Sequence, residues 1–556
     1  MNARGALVLA ALVAISLVAV PLAGAGGGSS VDTGVGAPDS ETAATPADAS
    51  VGSIWYQADE RDENPTTEST VGYAEGYWYD DALPVDDRDG AHVSEDELQA
   101  VVYRSMARTE EIRGLTFQEV PDVDVVTREE FQEETDELFA DLTERDELVE
   151  NVRYEAFLMV DRETDAVEAF EALYGGAVGG YYDPAEDQIV LVSDDLEDVE
   201  VDEVTLGHEL LHALQDQHFG LEGYDRETID SDGAVNGLIE GDAVFVDEQY
   251  EARCGDEWDC LEPEATMPDT PEIVWGQYLT LIMPYDEGPN FVEFHYEQGG
   301  WDAIDALYDE PPASTSEVIR PGEERAPVDV EPADRSTDAW SVFEPDEGPT
   351  VQRVGEVGLV SMFMHDSVER GGNSVLSIQD WAQATADGGE TYVYDQSITD
   401  GWAGDGLVVY TTDAETVDES AYVWETEWTS TEQANEFLDA YLSLLALHGG
   451  EPVEGVENTL TLDGGYPGAY HVDHDDETVT IVRAPTAADL PDVDAEAGAE
   501  GEDTIDHAVF GTDDAENDTD ERDDSTDDDG DDSLTGFGPL VAIAALALAI
   551  GIARRR

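Results

Sequence analysis

Residues 205–220 read TLGHELLHALQDQHFG, a helical pattern that carries three histidines, His208, His212 and His218. At about 100° per residue, positions four apart differ by roughly 40° around a helix and by about 6 Å along it. His208 and His212 therefore face one point from one side of the helix, the spacing by which an HExxH sequence holds a zinc ion. Glu209, next to His208, is placed to take a proton from water activated there. The flanking Leu206, Gly207, Leu210, Leu211, Ala213 and Leu214 are uncharged in a chain with 28% charged residues, which sets this helix apart from a solvated one.

Two residues compete for the third ligand position. His218 stands ten residues after His208, where metzincins place their third histidine. On an unbroken helix ten residues turn through roughly 1000° and rise about 15 Å, which carries His218 to another face. The helix-breaking glycine of metzincins is replaced by Gln215, and neither Met267 nor Met283 sits in a recognisable Met-turn. His218 is instead expected at the helix end, where a cation is favoured. Downstream, SDGAVNGLIEGDAVFVDEQYEA (231–252) has helical apolar spacing with Glu240 projecting from a largely apolar run. A carboxylate there is costly unless paired or bound to a cation, so Glu240 is the preferred third ligand.

TLGHELLHALQDQHFG followed by LIEGDA resembles the gluzincin clan of zinc metallopeptidases, and most of all a group of secreted bacterial and archaeal HExxH proteins. The likeness continues through PYDEGPNFVEFHYEQGGW (284–301) and PPASTSEV (311–318), and more loosely through GWAGD (401–405) and VWETEWTSTEQANEF (423–437). It covers most of residues 180–440. It implies Zn2+ held by His208, His212 and Glu240 with an open fourth position, Glu209 as general base, and Tyr285 or His295 as oxyanion stabiliser. The thermolysin-like pattern has an aspartate four residues after the ligand glutamate, but here that residue is Val244. Support for the histidines must then come from elsewhere, with Asp242 and Asp247 as candidates.

Upstream, GGYYDPAEDQIVLVSDD reads as a hairpin around Asp183 to Asp187 and offers an edge to an extended peptide. Ser94 and Glu97 form a capping-box pair that opens a helix, and FQEETDELFADLTERDELV (131–149) reads as a second one. Cys254 and Cys260, the only cysteines, are expected to form a disulfide.

The 556 residues include 134 acidic and 22 basic ones, all of the latter Arg, for a formal net charge of -112. Molar salt shrinks the Debye length to roughly 3 Å and screens such self-repulsion, so the composition points to an extreme halophile, an archaeon. Nucleic acid is not an expected partner, because phosphate binding needs clustered Lys and Arg.

The ends carry address signals. Arg4, the apolar run from Ala6 to Val20 and Ala23-Gly24-Ala25 make a secretory signal over 1–25. LTGFGPLVAIAALALAIGIARRR, within 534–556, matches a membrane span closed by three arginines. It also resembles the haloarchaeal sorting signal that an archaeosortase cuts and exchanges for a lipid, with Thr535 in place of the proline of Pro-Gly-Phe. The expected fold class is α+β: a zincin-like metallopeptidase domain (51–345) after a linker (26–50), then a small α/β domain (351–490). An acidic disordered stalk (491–533) with a glycosylation sequon at Asn517 leads to the C-terminal transmembrane segment. The expected function is a zinc metallopeptidase anchored at the cell surface that hydrolyses peptide or protein substrates. The alternative is a non-catalytic surface-anchored binding or structural protein that retains the zincin fold.

Overall fold

Ser94 and Glu97 open the first long helix as their spacing predicts: the Glu97 carboxylate accepts from the Ser94 backbone N–H and hydroxyl, at 3.1 and 2.9 Å. The computed structural model describes residues 15–17 and 61–505, apart from 89, 140–141, 194–195, 197, 264–272, 324, 326, 347, 372 and 385–389. The linker, the end of the acidic stalk with Asn517, the carboxy-terminal segment and nearly all of the expected signal lie outside those residues. The fold mixes α and β, with thirteen α-helices and several sheets among the described residues. None of these helices is long and apolar enough to cross a membrane.

Three long helices carry the histidine half: the histidine helix (Glu203–Phe219), the glutamate helix (Ile229–Glu251) and the tyrosine helix (Trp275–Gly299). Before them lies the expected hairpin, Val178–Asp183 antiparallel to Gln188–Val192, with Asp122–Val126 added in parallel on the far side. On the near edge, Ile15–Leu17 pairs antiparallel with Val178–Asp183. The helix Glu95–Arg113 packs on the histidine helix through buried charge. Glu203, fully buried, accepts from Arg104 at 3.0 Å, Arg108 at 2.6 Å, the Tyr250 hydroxyl at 2.9 Å and the Leu261 backbone N–H at 3.0 Å. A buried carboxylate satisfied on this scale fixes the start of the histidine helix instead of destabilising it.

The single helix expected over 131–149 is two, Arg128–Phe139 and Glu144–Ala156. Thr143 and Asp146 form a reciprocal capping box that starts the second helix and breaks the pattern.

The second half is an antiparallel sheet, which corrects the expected α/β character. Its main strands, Trp402–Thr411, Ser420–Trp428, Thr478–Ala484 and Gly468–Asp475, lie side by side in that order. The outer pairs in that row are joined by short turns, and such connections permit antiparallel pairing only. Alternation along Leu407 to Tyr410 sends Leu407 and Val409 into one core and Val408 and Tyr410 into another. The second core is closed by Leu490, Val493 and Ala497, so residues 491–505 pack on the sheet and are not part of the stalk expected from 491. Asn458 bonds Thr504 at 2.8 Å and accepts from the Ile505 backbone N–H at 3.2 Å.

Sequence composition places a domain boundary at the Pro- and acid-rich residues 323–350, yet one apolar core crosses it. That core runs from Phe157 and Tyr278 to Trp424, Phe437 and Ile481, and the Phe157 and Trp424 rings meet edge-on at 5.2 Å. Residues 328–332 are seated on the sheet: Val328 donates to the Ala403 carbonyl at 2.7 Å. A Cβ at Gly404 or Gly406 would lie 2.3 or 2.4 Å from the Val328 and Val330 carbonyl oxygens, so the strap requires both glycines.

Asp230 joins the halves and gives a testable pH signature. Its Oδ1 accepts from the Thr315 N–H and hydroxyl at 2.8 and 2.7 Å, while its Oδ2 is buried without a hydrogen-bond partner. Burial, only partly offset by the Thr315 donors, pushes the carboxyl up from 3.8 to about 7. Between those values the unfolded chain is ionised and the native carboxyl is not, so stability falls as pH rises through this window, by at most about 1.4 kcal/mol per unit. Asp230→Asn is expected to flatten the fall between pH 4 and 7 in denaturation midpoints measured in molar salt. Parallel profiles for variant and wild type would contradict this.

Candidate metal centre

The histidine helix is capped by Asp202, whose carboxylate accepts from the Val204 and Thr205 N–H groups, and it ends at Gly220. Within it His208, Glu209 and His212 are 4%, 0% and 0% exposed. The glutamate helix crosses it and brings Glu240, 2% exposed, to the same point. The Glu240 Oε2 lies 3.2 Å from His208 Nε2 and 3.4 Å from His212 Nε2. One ligand atom from each of the three residues lies within 4.8 Å of the others, the only such acceptor group of three or more His, Cys, Asp or Glu among the described residues.

These residues fit a zinc ion on three grounds. The set of two imidazoles and one carboxylate matches known catalytic zinc sites. Zinc–nitrogen and zinc–oxygen bonds of about 2.0–2.1 Å in a tetrahedron separate neighbouring ligand atoms by about 3.3 Å, as Glu240 is from each histidine. His212 Nε2 is buried with no hydrogen-bond partner, a costly arrangement that a cation relieves.

The outer nitrogen of each ring is held. Asp247 Oδ2 is 2.7 Å from His208 Nδ1, and Gln215 Oε1 is 2.8 Å from His212 Nδ1. Both Nε2 atoms are thereby turned inward, the arrangement that orients histidine ligands. Asp247 follows Glu240 by seven residues, about 700° of helix, and so shares its face. Asp242 acts one step further out: it accepts from the Gln215 amide at 3.3 Å, Arg113 Nε at 3.1 Å and the Tyr308 hydroxyl at 2.8 Å. Both candidate aspartates thus support a histidine, Asp247 directly and Asp242 through Gln215. Gln215 is the supporting residue that sequence reasoning missed. Its signal was its place three residues after His212, one turn along the same face.

Electrostatics at the site follow from burial and the crowding of charge. Burial alone would raise the Glu240 carboxyl, but the His212 and His208 imidazoles beside it hold it at about 2. Burial opposes protonation of His208, yet Asp247 and Glu240 outweigh it and raise the imidazole well above its ordinary value.

Tyr285 reaches the site and His295 does not. The Tyr285 ring lies parallel to that of His208 with centroids 6.4 Å apart. Burial, then the Glu240 and Glu209 carboxylates, raise its phenol well above the usual range, and the hydroxyl hydrogen-bonds Glu240. His295 is ten residues on along the tyrosine helix, about 15 Å of rise, and packs on Phe291 and Phe294 at 4.7 and 5.2 Å. His218 is exposed, with Nε2 2.8 Å from the Thr116 carbonyl oxygen, and takes no part in the triad.

Tyr285 is placed by two sets of contacts. A Cβ on Gly241 would lie 2.4 Å from the Gly288 carbonyl carbon and oxygen, and one on Gly288 would lie 2.5 Å from the Gly237 carbonyl oxygen. The glutamate and tyrosine helices therefore cross backbone to backbone, one residue from Glu240 and three from Tyr285. From the second half, the Thr391 hydroxyl donates to Asp286 at 3.0 Å and the Tyr394 N–H to Glu287 at 2.8 Å.

Above the triad runs the strand Val178–Asp183. A Cβ on Gly180 would be 3.6 Å from the Glu209 Cγ, so the strand passes over the glutamate of the motif. Cys254 and Cys260 are bonded, as expected, with their Cα atoms 5.5 Å apart. They close the turn that follows the glutamate helix, and Asp259 and Cys260 both contact Arg108.

No curated protein and no solved structure matches the chain. Residues 342–494, which hold the antiparallel sheet and begin after the three helices of the triad, match the model of a domain of unknown function, DUF8575.

Proposed function

We propose that the protein is a zinc-dependent peptidase of gluzincin type, held at the outer surface of the cell. The observation that carries this reading is the meeting of His208, His212 and Glu240 at metal-binding distances, with Glu209 and Tyr285 beside them. His208, His212 and Glu240 hold the ion. A zinc ion so held supplies a Lewis-acid centre that lowers the pKa of water toward neutrality.

The remaining steps belong to the chain's own residues. Glu209 takes the proton of the attacking water and returns it to the leaving amine, the general base and acid of the cleavage. The Tyr285 phenol turns its hydrogen bond from Glu240 to the oxyanion as charge develops there. Burial of all four carboxylate and imidazole side chains strengthens these interactions by keeping the local dielectric low. The substrate lies as an extended strand along Val178–Asp183. In support, that edge already pairs with a piece of extended chain, Ile15 opposite Tyr181 and Leu17 opposite Val178.

A structural zinc site has no use for a general base, so Glu209 favours the enzyme over a non-catalytic surface module. The expected secretory signal and carboxy-terminal segment support an exterior location, with the membrane reached through that segment or through a lipid exchanged for it by an archaeosortase. Quenched fluorescent peptides incubated with the protein in molar KCl are expected to be cut, to resist cutting after chelation, and to be cut again when zinc is returned. Cleavage that survives chelation would contradict the role given to the ion.

A further inference from the structure

The strand Val178–Asp183 has two faces, and the metal centre uses one of them. Side chains alternate along a strand, so Gly180 and Tyr182 share a face while Tyr181 takes the other. The first face packs on the histidine helix: Gly180 lies against Glu209, and the Tyr182 hydroxyl donates to Asp216 at 3.0 Å. The Tyr181 ring turns the opposite way, to Phe131 of the helix Arg128–Phe139, with ring centroids 5.8 Å apart.

A second tyrosine joins this far face. Tyr174, on the helix Ala166–Ala177, packs with Tyr181, Val126 and Val192 around Phe131. Phe131 is buried and backs the cluster, whereas Tyr174 and Tyr181 are half-buried and keep part of their surface open. Tyr174 is also near enough to Tyr285 to add to the rise of its phenol, after burial and the Glu240 and Glu209 carboxylates. The two tyrosines thus form an aromatic wall that links the strand edge to the metal centre.

Register says what meets this wall. In an antiparallel pair, directly opposite side chains share a face, with Cβ atoms about 4.5–5.5 Å apart. The position opposite Tyr181 is held here by Ile15, in an apolar run that continues to Leu17 opposite Val178. Both residues belong to the expected secretory signal, so its removal frees the edge for a substrate. A chain running in the same direction passes Tyr181 first and then Gly180, above Glu209. The residue that meets the wall therefore stands just before the bond that faces Glu209.

Charge narrows the choice of side chain. Aromatic ring faces carry negative partial charge. Burial and then the Asp232 carboxylate raise the Tyr174 phenol, and the Arg128 guanidinium is engaged with the backing Phe131 ring, 5.8 Å from its centroid. An acidic side chain is disfavoured against such a wall, while an aliphatic or aromatic one is taken out of water by it.

We propose that Tyr181 and Tyr174 form the subsite that selects substrates, by accepting an apolar residue just before the scissile bond. The proposal rests on the peptidase reading above and names its substrate class: extended peptides with an aliphatic or aromatic residue at that position.

The test uses the protein recovered from the envelope of a halophilic host, supplied with zinc in molar KCl. Mass spectrometry of its cuts in random-sequence peptides is expected to show aliphatic and aromatic residues enriched just before the scissile bond. In a matched pair of peptides with Leu or Asp at that position, kcat/KM is expected to favour Leu by at least about tenfold, the worth of burying one such side chain. Tyr181→Thr keeps a strand-forming residue. It is expected to lower this preference several-fold while kcat/KM for the Asp peptide stays within about twofold. Cuts without apolar preference at that position, or an unchanged preference in Tyr181→Thr, would overturn the subsite alone. Absence of any cutting would contradict the peptidase reading and the subsite with it. Should Tyr181→Thr unfold, Tyr174→Gln is the second arm: it is expected to lower the preference likewise, and an unchanged preference would overturn the proposal equally.

Discussion

Glu209→Gln is expected to lower peptide hydrolysis by about 10²- to 10⁴-fold, the usual contribution of a positioned proton acceptor, while the bound metal stays at the wild-type level. Glutamine has the shape of glutamate, and Glu209 is not one of the three ligand residues. The side chain is fully buried beneath Gly180, and a change of shape there would disturb packing. The glutamine variant therefore removes the carboxylate with little change of volume. Hydrolysis rates and metal content measured on the same preparation separate the two effects. Retained hydrolysis would remove Glu209 from the mechanism, and loss of metal together with activity would make it a structural residue.

Gly241→Ala is expected to destabilise the protein by at least about 3 kcal/mol, far more than a glycine-to-alanine change in an ordinary helix, which is favourable by roughly 0.5–1 kcal/mol. The added carbon would stand 2.4 Å from the Gly288 backbone, and no side-chain rotation relieves contact between two main chains. The helices must part, and parting them also draws Tyr285 away from Glu240. Gly223→Ala is the control: nothing lies within 4 Å of the added carbon, so its effect stays within about 0.5 kcal/mol. Denaturant midpoints in molar salt decide the matter, and similar values for the two variants would mean that the helices can separate at little cost.

The candidate triad was legible because helical spacing is local information. His208 and His212 are one turn apart, and Glu240 stands out as a charge in an apolar run. The crossing that brings them together was not legible. Gly237 and Gly241 read as weaknesses in a helix until Gly288 is known to lie against them. Gln215 was hidden for a similar reason: an amide inside a helix declares its use only when both of its partners, His212 and Asp242, are in place. Proximity in three dimensions also explains the seam. The Pro- and acid-rich composition of 323–350 resembles that of a linker, but Val328 and Val330 lie on strand glycines whose role depends on the strap itself. Likewise Leu490, Val493 and Ala497 are too few among their acidic neighbours to announce a packed segment, yet they cover one face of a sheet.

The domain matched over 342–494 acquires a physical role from the same geometry. Its Thr391 and Tyr394 hold Asp286 and Glu287, the two residues after Tyr285, and its Tyr394 hydroxyl donates to the Leu279 carbonyl at 2.6 Å. Together with the shared core, these contacts make the sheet a buttress for the tyrosine helix.

Metal content decides whether His208, His212 and Glu240 hold an ion. Elemental mass spectrometry on the full-length protein purified in molar salt, wild type beside Glu240→Ala, is expected to find about one zinc per chain in the first and little or none in the second, as three-residue zinc sites require. Zinc unchanged by Glu240→Ala, or absent from both proteins, would contradict the account.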